Sequence, residues 1–538
     1  MRLSESAHVD TFCRDNLPPD RLWPDFQFSL PELRYPERLN AAAELLDATA
    51  GAFGGGRPCL LAQDGTTWSY DDVVRLSNQV AWVLADELDV VPGNRVLLRG
   101  PNNPWLAVCW LGVLKAGGVA VTTMSLLRSG ELATICEVSR PAVALCDHRF
   151  TEELAAGAGG LPIVSYGGAG PEDLAARVEP MPRNFSAVDT AADDVAMIAF
   201  TSGTTGRPKA AMHFHRDLLA IADTFSAHVL KPRPDDVFTG TPPLAFTYGL
   251  GGLLVFPLRA GAATLLLEKA TPVELAGQIA AHGVTVLSTA PTAFRAMLAA
   301  GQAGQLRGLR RPVSAGEHLS GSLWQAFYDA TGVKIIDGIG STEMLHIFIS
   351  SSDDEIRPGS TGRAVPGYEA AILDDEGKPV PDGTPGRLAV KGPTGCRYLA
   401  DERQRSYVQD GWNFTGDTYV RDSDGYFWYQ ARSDDMIISG GYNIAGPEIE
   451  EVLLGHPDVA ECGVVGVPDE ARGQIVKAFV VLQGGAADGQ AKILELQEYV
   501  KQRIAPYKYP RSVEFLAALP RTNTGKLQRF RLRDRAGG

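Results

Sequence analysis

The sequence predicts an α/β protein with a large N-terminal domain and a smaller C-terminal α+β domain. Between about residues 90 and 340, short β-branched runs alternate with helical periods, which is typical of βαβ units around parallel sheets. After about residue 385, short runs are joined by Asp-Gly and Gly-Gly turns, which favours antiparallel hairpins. The chain shows no fixed-period repeat, so a solenoid is not expected.

The predicted elements follow one another from an N-terminal arm to a C-terminal helix. The first fifty residues are rich in proline and charge, and we expect them to lie over the body as an extended arm. Strands and helices are then predicted, in order, at RVLLRG, PWLAVCWLGVLKAG (helix), VAVTTM, PAVALCDH, DVAMIAF, VTVLSTA, PTAFRAMLAA (helix) and VKIIDGIG. Antiparallel strands are predicted at GRLAVKG, TYVRDSDGYFWYQA and DMIISGGYN. The last hundred residues mix strands (ECGVVGV, AFVVL) with the amphipathic helix AKILELQEYVKQRI. The polar ARSDD marks the predicted boundary between residues 1–433 and residues 434–538.

Charge and cysteine content exclude several classes of protein. The net charge of -14 disfavours binding to nucleic acid or to anionic lipid. The seven cysteines are an odd number without a CxxC pair, which favours neither a disulfide framework nor a zinc site. The N-terminus lacks an apolar signal core, and the longest apolar stretch, Trp105 to Val121, is interrupted by Lys115. We therefore expect a soluble, cytoplasmic protein.

The string TSGTTGRPK, residues 201–209, predicts a phosphate-binding loop after a buried strand. A Walker loop needs GxxxxGK followed by Ser or Thr, but here Gly203 and Gly206 are only three residues apart and a proline precedes Lys209. The two glycines still allow backbone N–H groups to approach an anion, and the hydroxyls and basic side chains add donors and charge.

The same string resembles the signature of the acyl-adenylate-forming (ANL) superfamily. Five further motifs of that superfamily follow in order: SAGEHL (314–319), DGIGSTE (337–343), TGD (415–417), ARSDDMIISGGYNI (431–444) and PRTNTGKLQR (520–529). The resemblance extends over roughly residues 60 to 530. It implies mixed and parallel sheets flanked by helices, a small β-barrel-like subdomain, and a mobile C-terminal domain.

The resemblance also implies the residues of an ATP site. Asp417 is the carboxylate that would accept both ribose hydroxyls. Glu343, together with Thr204, would ligate Mg²⁺. Lys526 would neutralise the charge that develops at the α-phosphate, so Lys526 and Glu343 are the predicted catalytic residues. The predicted ATP-binding residues are Thr201, Ser202, Gly203, Thr204, Thr205, Lys209, Ala315, Gly316, Glu317, Asp337, Gly338, Thr342, Asp417 and Arg432.

A second half-reaction with a thiol is implied in the same way. Members of the superfamily rotate the small domain about a hinge residue, which is Asp434 in this sequence, and so remove the lysine from the site. The rotation would present Gly440, Gly441 and Tyr442 to the CoA channel, where glycines without side chains suit a narrow passage. The Gly-Gly pair is also compatible with an ordinary hairpin turn.

The predicted acyl pocket favours an aromatic acid. The segment PLAFTYGLGG carries no charge, and Thr247 stands where relatives that activate amino acids usually place an aspartate after the phenylalanine. A flat apolar slot for a planar ring would be formed by Phe246, Tyr248, Gly338, Ile339, Gly340 and His346. His346 would face the ring or an ortho substituent, or else be a buried structural histidine.

The DGIGSTEMLHIF and TYGLGG segments and the N-terminal arm resemble benzoate- and 2-aminobenzoate-CoA ligases in particular. The resemblance implies an enzyme that uses ATP, Mg²⁺ and coenzyme A to convert an aryl acid into its CoA thioester. Ala431 and Ser439 depart from the glycine and lysine of many relatives, which leaves a carrier protein open as the thiol acceptor. A catalytically silent nucleotide-binding homologue is a further alternative, and a homodimer is also open.

Overall fold

The computed structural model describes residues 3–201, 208–432, 435–439, 442–469, 472–484, 486–504, 508–522 and 526–537. Two sheets with parallel centres form the body of the large domain. In the described part of the chain, the first sheet has nine strands: β1 (Pro58–Ala62), β2 (Thr67–Ser69), β9 (Val237–Gly240), β10 (Ala263–Leu266), β11 (Val286–Thr289), β12 (Arg311–Ser314), β13 (Ile336–Gly340), β14 (Ile347–Ser350) and β15 (Arg363–Ala364). Their order is β15-β14-β13-β12-β11-β9-β10-β1-β2, and the pairs from β1 through β13 are parallel.

The second sheet has six strands within the described ranges. They are β3 (Arg95–Gly100), β4 (Val119–Met124), β5 (Val143–Asp147), β6 (Ile163–Tyr166), β7 (Val195–Thr201) and β8 (Lys209–Phe214). Their order is β6-β5-β3-β4-β7-β8, and only the last pair, β7 with β8, is antiparallel. The strands predicted from β-branched runs in this region are therefore confirmed.

Helices lie between and against these sheets. The α-helices are α1 (Phe12–Asp15), α2 (Ala48–Phe53), α3 (Tyr70–Trp82), α4 (Pro104–Lys115), α5 (Ser129–Ser139), α6 (Thr151–Gly157), α7 (Leu174–Val178), α8 (His215–Ile221), α9 (Thr247–Leu250), α10 (Phe256–Ala260), α11 (Pro272–Ala281), α12 (Pro291–Ala299), α13 (Ala303–Leu306), α14 (Gly321–Thr331), α15 (Gln404–Tyr407), α16 (Gly446–Leu454), α17 (Gln490–Lys501) and α18 (Arg529–Gly537). Wider π-helical turns adjoin several of them, at Ala43–Asp47, Val83–Glu87, Ala222–Leu230 and Gly251–Val255.

The most apolar stretch of the sequence forms helix α4 and the strand after it. The Asn103 side chain accepts from the Leu106 N–H at 3.0 Å, and Pro104 occupies the first turn, so the helix has a defined start. At its other end Lys115 is fully buried and donates to Asp47 and to Asn78, each at 2.7 Å. This segment is a core helix, and among the described residues no helix is both long and apolar enough to cross a membrane.

A third sheet follows the two large ones and forms the predicted β-barrel-like subdomain. Over the described residues it has five antiparallel strands: β16 (Glu369–Leu373), β17 (Gly386–Lys391), β18 (Val408–Gln409), β19 (Trp412–Arg421) and β20 (Phe427–Arg432). The predicted Asp-Gly turn joins β19 to β20, where Asp422 Oδ1 accepts from the N–H groups of Asp424 and Tyr426.

The C-terminal region has its own sheet and its own core. In the part that the structure describes, five strands are present: β21 (Ile437–Ser439), β22 (Tyr442–Ile444), β23 (Val459–Asp469), β24 (Gly473–Leu482) and β25 (Ser512–Phe515). Their order is β22-β21-β24-β23, and β25 runs parallel to β24. Side chains of this sheet pack with α16 and α17 into a separate apolar cluster. The predicted fold class is confirmed, whereas residues 433 and 434 lie outside the described residues, so the exact domain boundary remains a prediction.

The first fifty residues are extended only in part: the helical turns at Ala43–Asp47 and Ala48–Phe53 contradict the predicted arm there, and Leu45 and Leu46 are buried in the core. Phe26 pairs with Gly392 and Arg38 with Ala191, so the arm is held against the large domain. All seven cysteines are free thiols, and six of them are buried.

Candidate functional site

Two groups of predicted site residues lie at the carboxyl ends of parallel strands in the large domain. Ala315, Gly316 and Glu317 follow β12, and Thr342 and Glu343 follow β13. In open α/β sheets ligands bind at this edge, because loops leaving neighbouring strands converge there. The topology therefore brings two motifs that are separate in sequence to one place.

The predicted phosphate cradle joins two antiparallel strands. Thr201 at the end of β7 is paired with Lys209 at the start of β8, so both ends of the predicted loop lie side by side. Ser202, Gly203, Thr204 and Thr205 lie outside the described residues, and their role remains a prediction. Lys209 Nζ lies 5.2 Å from the centre of the Tyr398 ring, and the Pro208 carbonyl accepts from Arg403 at 3.3 Å.

Glu343 is a buried carboxylate with a tyrosine partner. Its side chain is 7% exposed, and Glu343 Oε1 accepts from the Tyr398 hydroxyl at 2.5 Å. Burial raises the pKa of the Tyr398 phenol, and the charge of Glu343 adds to this shift, so the hydroxyl stays protonated as a donor. No sequence motif points to Tyr398, because a tyrosine after a buried strand and a short loop is ordinary.

The donor set at Glu343 fits a magnesium ion. Mg²⁺ is usually bound by one or two protein carboxylates, with nucleotide phosphates and water as its other ligands. Glu343 supplies a hard oxygen donor in a buried place, and Tyr398 contacts both Glu343 and Lys209. Thr204, the second predicted ligand, lies outside the described residues.

Asp417 and Arg432 form a cross-strand pair at the predicted ribose site. They are opposite each other on β19 and β20, and Arg432 Nη1 lies 3.3 Å from Asp417 Oδ1. Asp417 is 8% exposed; burial raises the pKa of its carboxyl, and Arg432 opposes the shift. Gly416 has a φ of +77°, and a β-carbon there would lie 2.8 Å from Arg432 Nη2. The positive φ favours glycine at this position, whereas the guanidinium could shift to make room for a side chain.

Lys526 of the small domain reaches the loop after β12. Its Cε lies 3.7 Å from the position that a β-carbon would take at Gly316. The side chain keeps access to solvent, yet the surrounding protein lowers the pKa of its ammonium by desolvation, and the nearby carboxylate of Glu317 opposes this. Backbone bonds with Thr522 fix the turn: the Thr522 N–H donates to the Lys526 carbonyl at 2.8 Å.

Polar contacts join the small domain to the large one among the described residues. Arg521 Nη1 lies 3.8 Å from Glu317 Oε1 in the large domain, and Arg521 Nη2 pairs with Glu461 of its own domain. Glu451 on α16 accepts from the Ser322 N–H at 3.4 Å, at the N-terminus of α14. A carboxylate at a helix N-terminus is stabilised by the helix dipole. Both contacts connect parts of the chain that are far apart in sequence.

Asp337 offers an unpaired acceptor beneath the loop after β12. Its Oδ1 is buried and, in the described part of the structure, has no hydrogen-bond partner. Burial raises the pKa of the Asp337 carboxyl well above its ordinary value. Gly338 follows it within β13 and is also buried. A buried acceptor of this kind is costly unless a ligand group satisfies it.

The predicted aromatic slot lies between the start of α9 and strand β13. Tyr248 is partly buried, and its hydroxyl donates to the carbonyls of Thr289 and Val313 at 3.2 and 3.1 Å. These bonds attach the ring to the ends of β11 and β12. Phe246 is the residue before α9. Tyr248 and Ile339 both pack on the main core cluster. Gly338 and Gly340 leave β13 without side chains on either side of Ile339. Thr247 is buried and brings no charge to the pocket.

His346 lies in an aromatic environment next to this slot. It is 3% exposed, and its ring centre lies 4.5 Å from Phe256, 5.4 Å from Phe225 and 5.6 Å from Tyr248. Burial lowers the pKa of its imidazole to about 3, with a backbone contact from Tyr248 partly opposing the shift. Both ring nitrogens are buried without a hydrogen-bond partner among the described residues, and the ring contacts Tyr248 of the predicted slot, so both predicted roles of His346 stay open.

The predicted CoA-channel segment adjoins the antiparallel strands β21 and β22, in which Ser439 pairs with Tyr442. Gly440, Gly441 and the hinge candidate Asp434 lie outside the described residues, as does the side chain of Tyr442. Their roles in thiol transfer remain predictions.

Comparison with known proteins agrees with this arrangement. The model of the AMP-binding enzyme family matches residues 46–398, and that of the AMP-binding enzyme C-terminal domain matches residues 448–526. A benzoate–CoA ligase of Thauera aromatica is 35% identical, with 94% of this chain and 97% of the relative covered.

Two solved structures have the same fold over nearly their whole length. The crystal structure of the anthranilate CoA ligase AuaEII with anthranoyl-AMP has a TM-score of 0.89 at 35% identity, covering 94% of this chain and 99% of that one. A benzoate CoA ligase from Burkholderia xenovorans LB400 has a TM-score of 0.84 at 32% identity, covering 92% of this chain and 100% of that one.

Proposed function

The chain belongs to the AMP-binding enzyme family, and from this premise we propose that it is an aryl-acid:CoA ligase that forms AMP. It activates an aromatic carboxylic acid of the benzoate or 2-aminobenzoate type with ATP and then transfers the acyl group to coenzyme A. The observation that carries the proposal is the position of Lys526, which lies against the Gly316 loop of the large domain although the two motifs belong to different domains.

In the first half-reaction, a carboxylate oxygen of the aryl acid attacks the α-phosphorus of ATP. The bond from that phosphorus to the bridging oxygen breaks, and pyrophosphate leaves with the electron pair. Lys526 places a positive charge where negative charge develops, and Asp417 holds the ribose. Glu343 would hold Mg²⁺, which when bound would neutralise charge on the ATP phosphates. Asp337 Oδ1 offers its acceptor to the amino group of adenine.

The acid is assigned by the chemistry of the slot. Thr247 follows Phe246 without a carboxylate that could bind an α-ammonium group, and Tyr248 presents an anchored ring. The printed names of the relatives agree, because they act on benzoate and on anthranilate, which is 2-aminobenzoate. The slot therefore supports benzoate and 2-aminobenzoate equally.

In the second half-reaction, the thiol sulfur of coenzyme A attacks the acyl carbon of the adenylate, and AMP leaves. Lysine has no role in this step. We propose that the small domain, residues 434–538, rotates about Asp434, removes Lys526, and brings Gly440, Gly441 and Tyr442 to the thiol channel. The contacts of Arg521 and Glu451 are those that such a rotation breaks.

Carboxylate-dependent exchange between ATP and labelled pyrophosphate, over a set of substituted benzoates, tests the first half-reaction. We expect exchange with benzoate or 2-aminobenzoate and none with an α-amino acid. Absence of exchange with every aryl acid would favour the catalytically silent homologue instead.

The thiol acceptor is tested by offering the enzyme free CoA or a phosphopantetheinylated carrier protein. We expect the aryl-CoA thioester; acylation of the carrier alone would favour an enzyme that loads carrier proteins. The carrier protein, a homodimer and the cytoplasmic location remain proposals from the sequence.

A further inference from the structure

Tyr398 forms a hydrogen bond with Glu343, although Tyr398 belongs to none of the six motifs. The hydroxyl of Tyr398 donates to Glu343 Oε1 at 2.5 Å, and both side chains are buried. A hydrogen bond to an ionised carboxylate is stronger than a bond between neutral groups, and it fixes the orientation of the acceptor. Because one oxygen is engaged, the plane of the carboxylate and the direction of Oε2 are restrained.

Tyr398 is itself fixed to the strand that carries Lys209. It pairs with Ala211 of β8, and the neighbouring Leu399 N–H donates to the Ala210 carbonyl at 2.9 Å. The Tyr398 N–H donates to Gln404 Oε1 at 2.9 Å, and Lys209 Nζ faces the ring at 5.2 Å. The tyrosine therefore connects Lys209 to Glu343.

The residue before Tyr398 strengthens this attachment. Arg397 is fully buried, forms an ion pair with Asp217 of α8, and lies 3.9 Å above the Phe214 ring. Its carbonyl accepts from the Met212 N–H of β8 at 2.8 Å. Loss of one partner of such a buried ion pair strongly destabilises a folded protein. The ion pair and the strand hydrogen bonds therefore restrain the backbone of residues 397–399.

We propose that Tyr398 is a positioning residue that orients Glu343 for the metal ion of Mg·ATP and couples it to the strand carrying Lys209. The inference rests on the proposed adenylation reaction. Groups that bond to metal-ligating side chains from outside usually tune metal affinity strongly, and their loss typically costs about 10- to 100-fold. Tyr398→Phe removes the donor while it keeps the ring under Lys209.

The test measures metal binding directly. Mn²⁺ replaces Mg²⁺, the nucleotide is α,β-methylene-ATP, which cannot be cleaved at the reacting bond, and electron paramagnetic resonance counts the free Mn²⁺. We expect Tyr398→Phe to weaken Mn²⁺ binding to the enzyme–nucleotide complex about tenfold or more. Binding of the nucleotide without metal should stay close to that of the wild type. Unchanged Mn²⁺ affinity would overturn the proposal.

Tyr407→Phe is the matched control. Tyr407 is also buried, its ring packs edge-on against Tyr398 at 5.8 Å, and its hydroxyl bonds to Ser341 rather than to Glu343. We expect near wild-type Mn²⁺ affinity in this variant. An equal loss in both variants would show that any missing phenol loosens the cluster, and the specific role of Tyr398 would be refuted.

A double-mutant cycle with Glu343→Gln tests the connection between the two residues. If Tyr398 acts through the carboxylate, Tyr398→Phe should change Mn²⁺ affinity little in the Glu343→Gln background. The same fold-loss in both backgrounds would overturn the inference. Pyrophosphate exchange by the wild type, measured in parallel, separates the two proposals. Absence of exchange refutes adenylation. If the wild type catalyses exchange but the Mn²⁺ affinity of the Tyr398→Phe variant is unchanged, only the role of Tyr398 is refuted.

Discussion

Replacement of Lys526 by alanine is the most direct test of the two-domain site. In this structure the Lys526 side chain lies against the Gly316 loop, beside Glu317 and Asp417. An ammonium about 4 Å from a developing unit charge contributes about 4 kcal/mol at an effective dielectric constant of about 20. This agrees with the roughly 3 to 4 kcal/mol that one positioned donor supplies in a transition state. We therefore expect Lys526→Ala to slow adenylate formation by about 10²- to 10³-fold.

The assay separates the two half-reactions. Pyrophosphate exchange measures adenylation, and thioester formation from chemically prepared benzoyl-AMP and CoA measures the second step, which should stay near the wild-type rate. The backbone of residue 526 keeps its bonds with Thr522, so the fold should be unaffected. Lys501→Ala is the control, because Lys501 is on α17 of the same domain and pairs with Glu498 at 3.6 Å. An equal fall of both half-reactions, or no fall in exchange, would refute the reasoning.

Three further predictions concern the ribose carboxylate, the domain contact and the buried histidines. Asp417→Asn should raise the KM for ATP about 10-fold or more, since charged acceptors contribute about 1.5 to 3 kcal/mol; an unchanged KM in the exchange assay would contradict this. Arg521→Met removes a partly exposed ion pair and should slow exchange about two- to fivefold without affecting thioester formation from supplied adenylate; equal slowing of both steps would argue against it. Burial lowers the pKa of His213, His215 and His346 to about 3, from an ordinary 6.5, so they stay neutral in the folded protein while the unfolded chain protonates them below about pH 6.5. Their stabilising contribution is complete above pH 6.5 and should be smaller by about 4 kcal/mol in sum at pH 5.5, which urea denaturation and NMR titration measure; imidazoles that titrate near 6.5 would disprove it.

The sequence was informative wherever a signal is local. The alternating strands and helices, the Asp-Gly hairpin between β19 and β20, and the core helix α4 follow from periodicity, turn chemistry and a cap within a few residues. The uncharged segment around Thr247 is likewise a local signal, whereas the six motifs indicated the chemistry through the resemblance to a known superfamily. The family resemblance then supplied roles that no spacing could have shown.

The tertiary structure decided what depends on contacts between distant segments. The sheet order, with β9 between β10 and β11, could not be read from a list of strands. The hydrogen bond between Tyr398 and Glu343 joins residues 55 positions apart, and neither residue type predicts this contact. The three aromatic neighbours of His346 come from separate segments of the chain, and no local pattern predicts them. Periodicity and turns are properties of a short segment, whereas pairing and burial arise only when separate segments pack, and this is why the sequence determined the elements and the tertiary structure determined their partners.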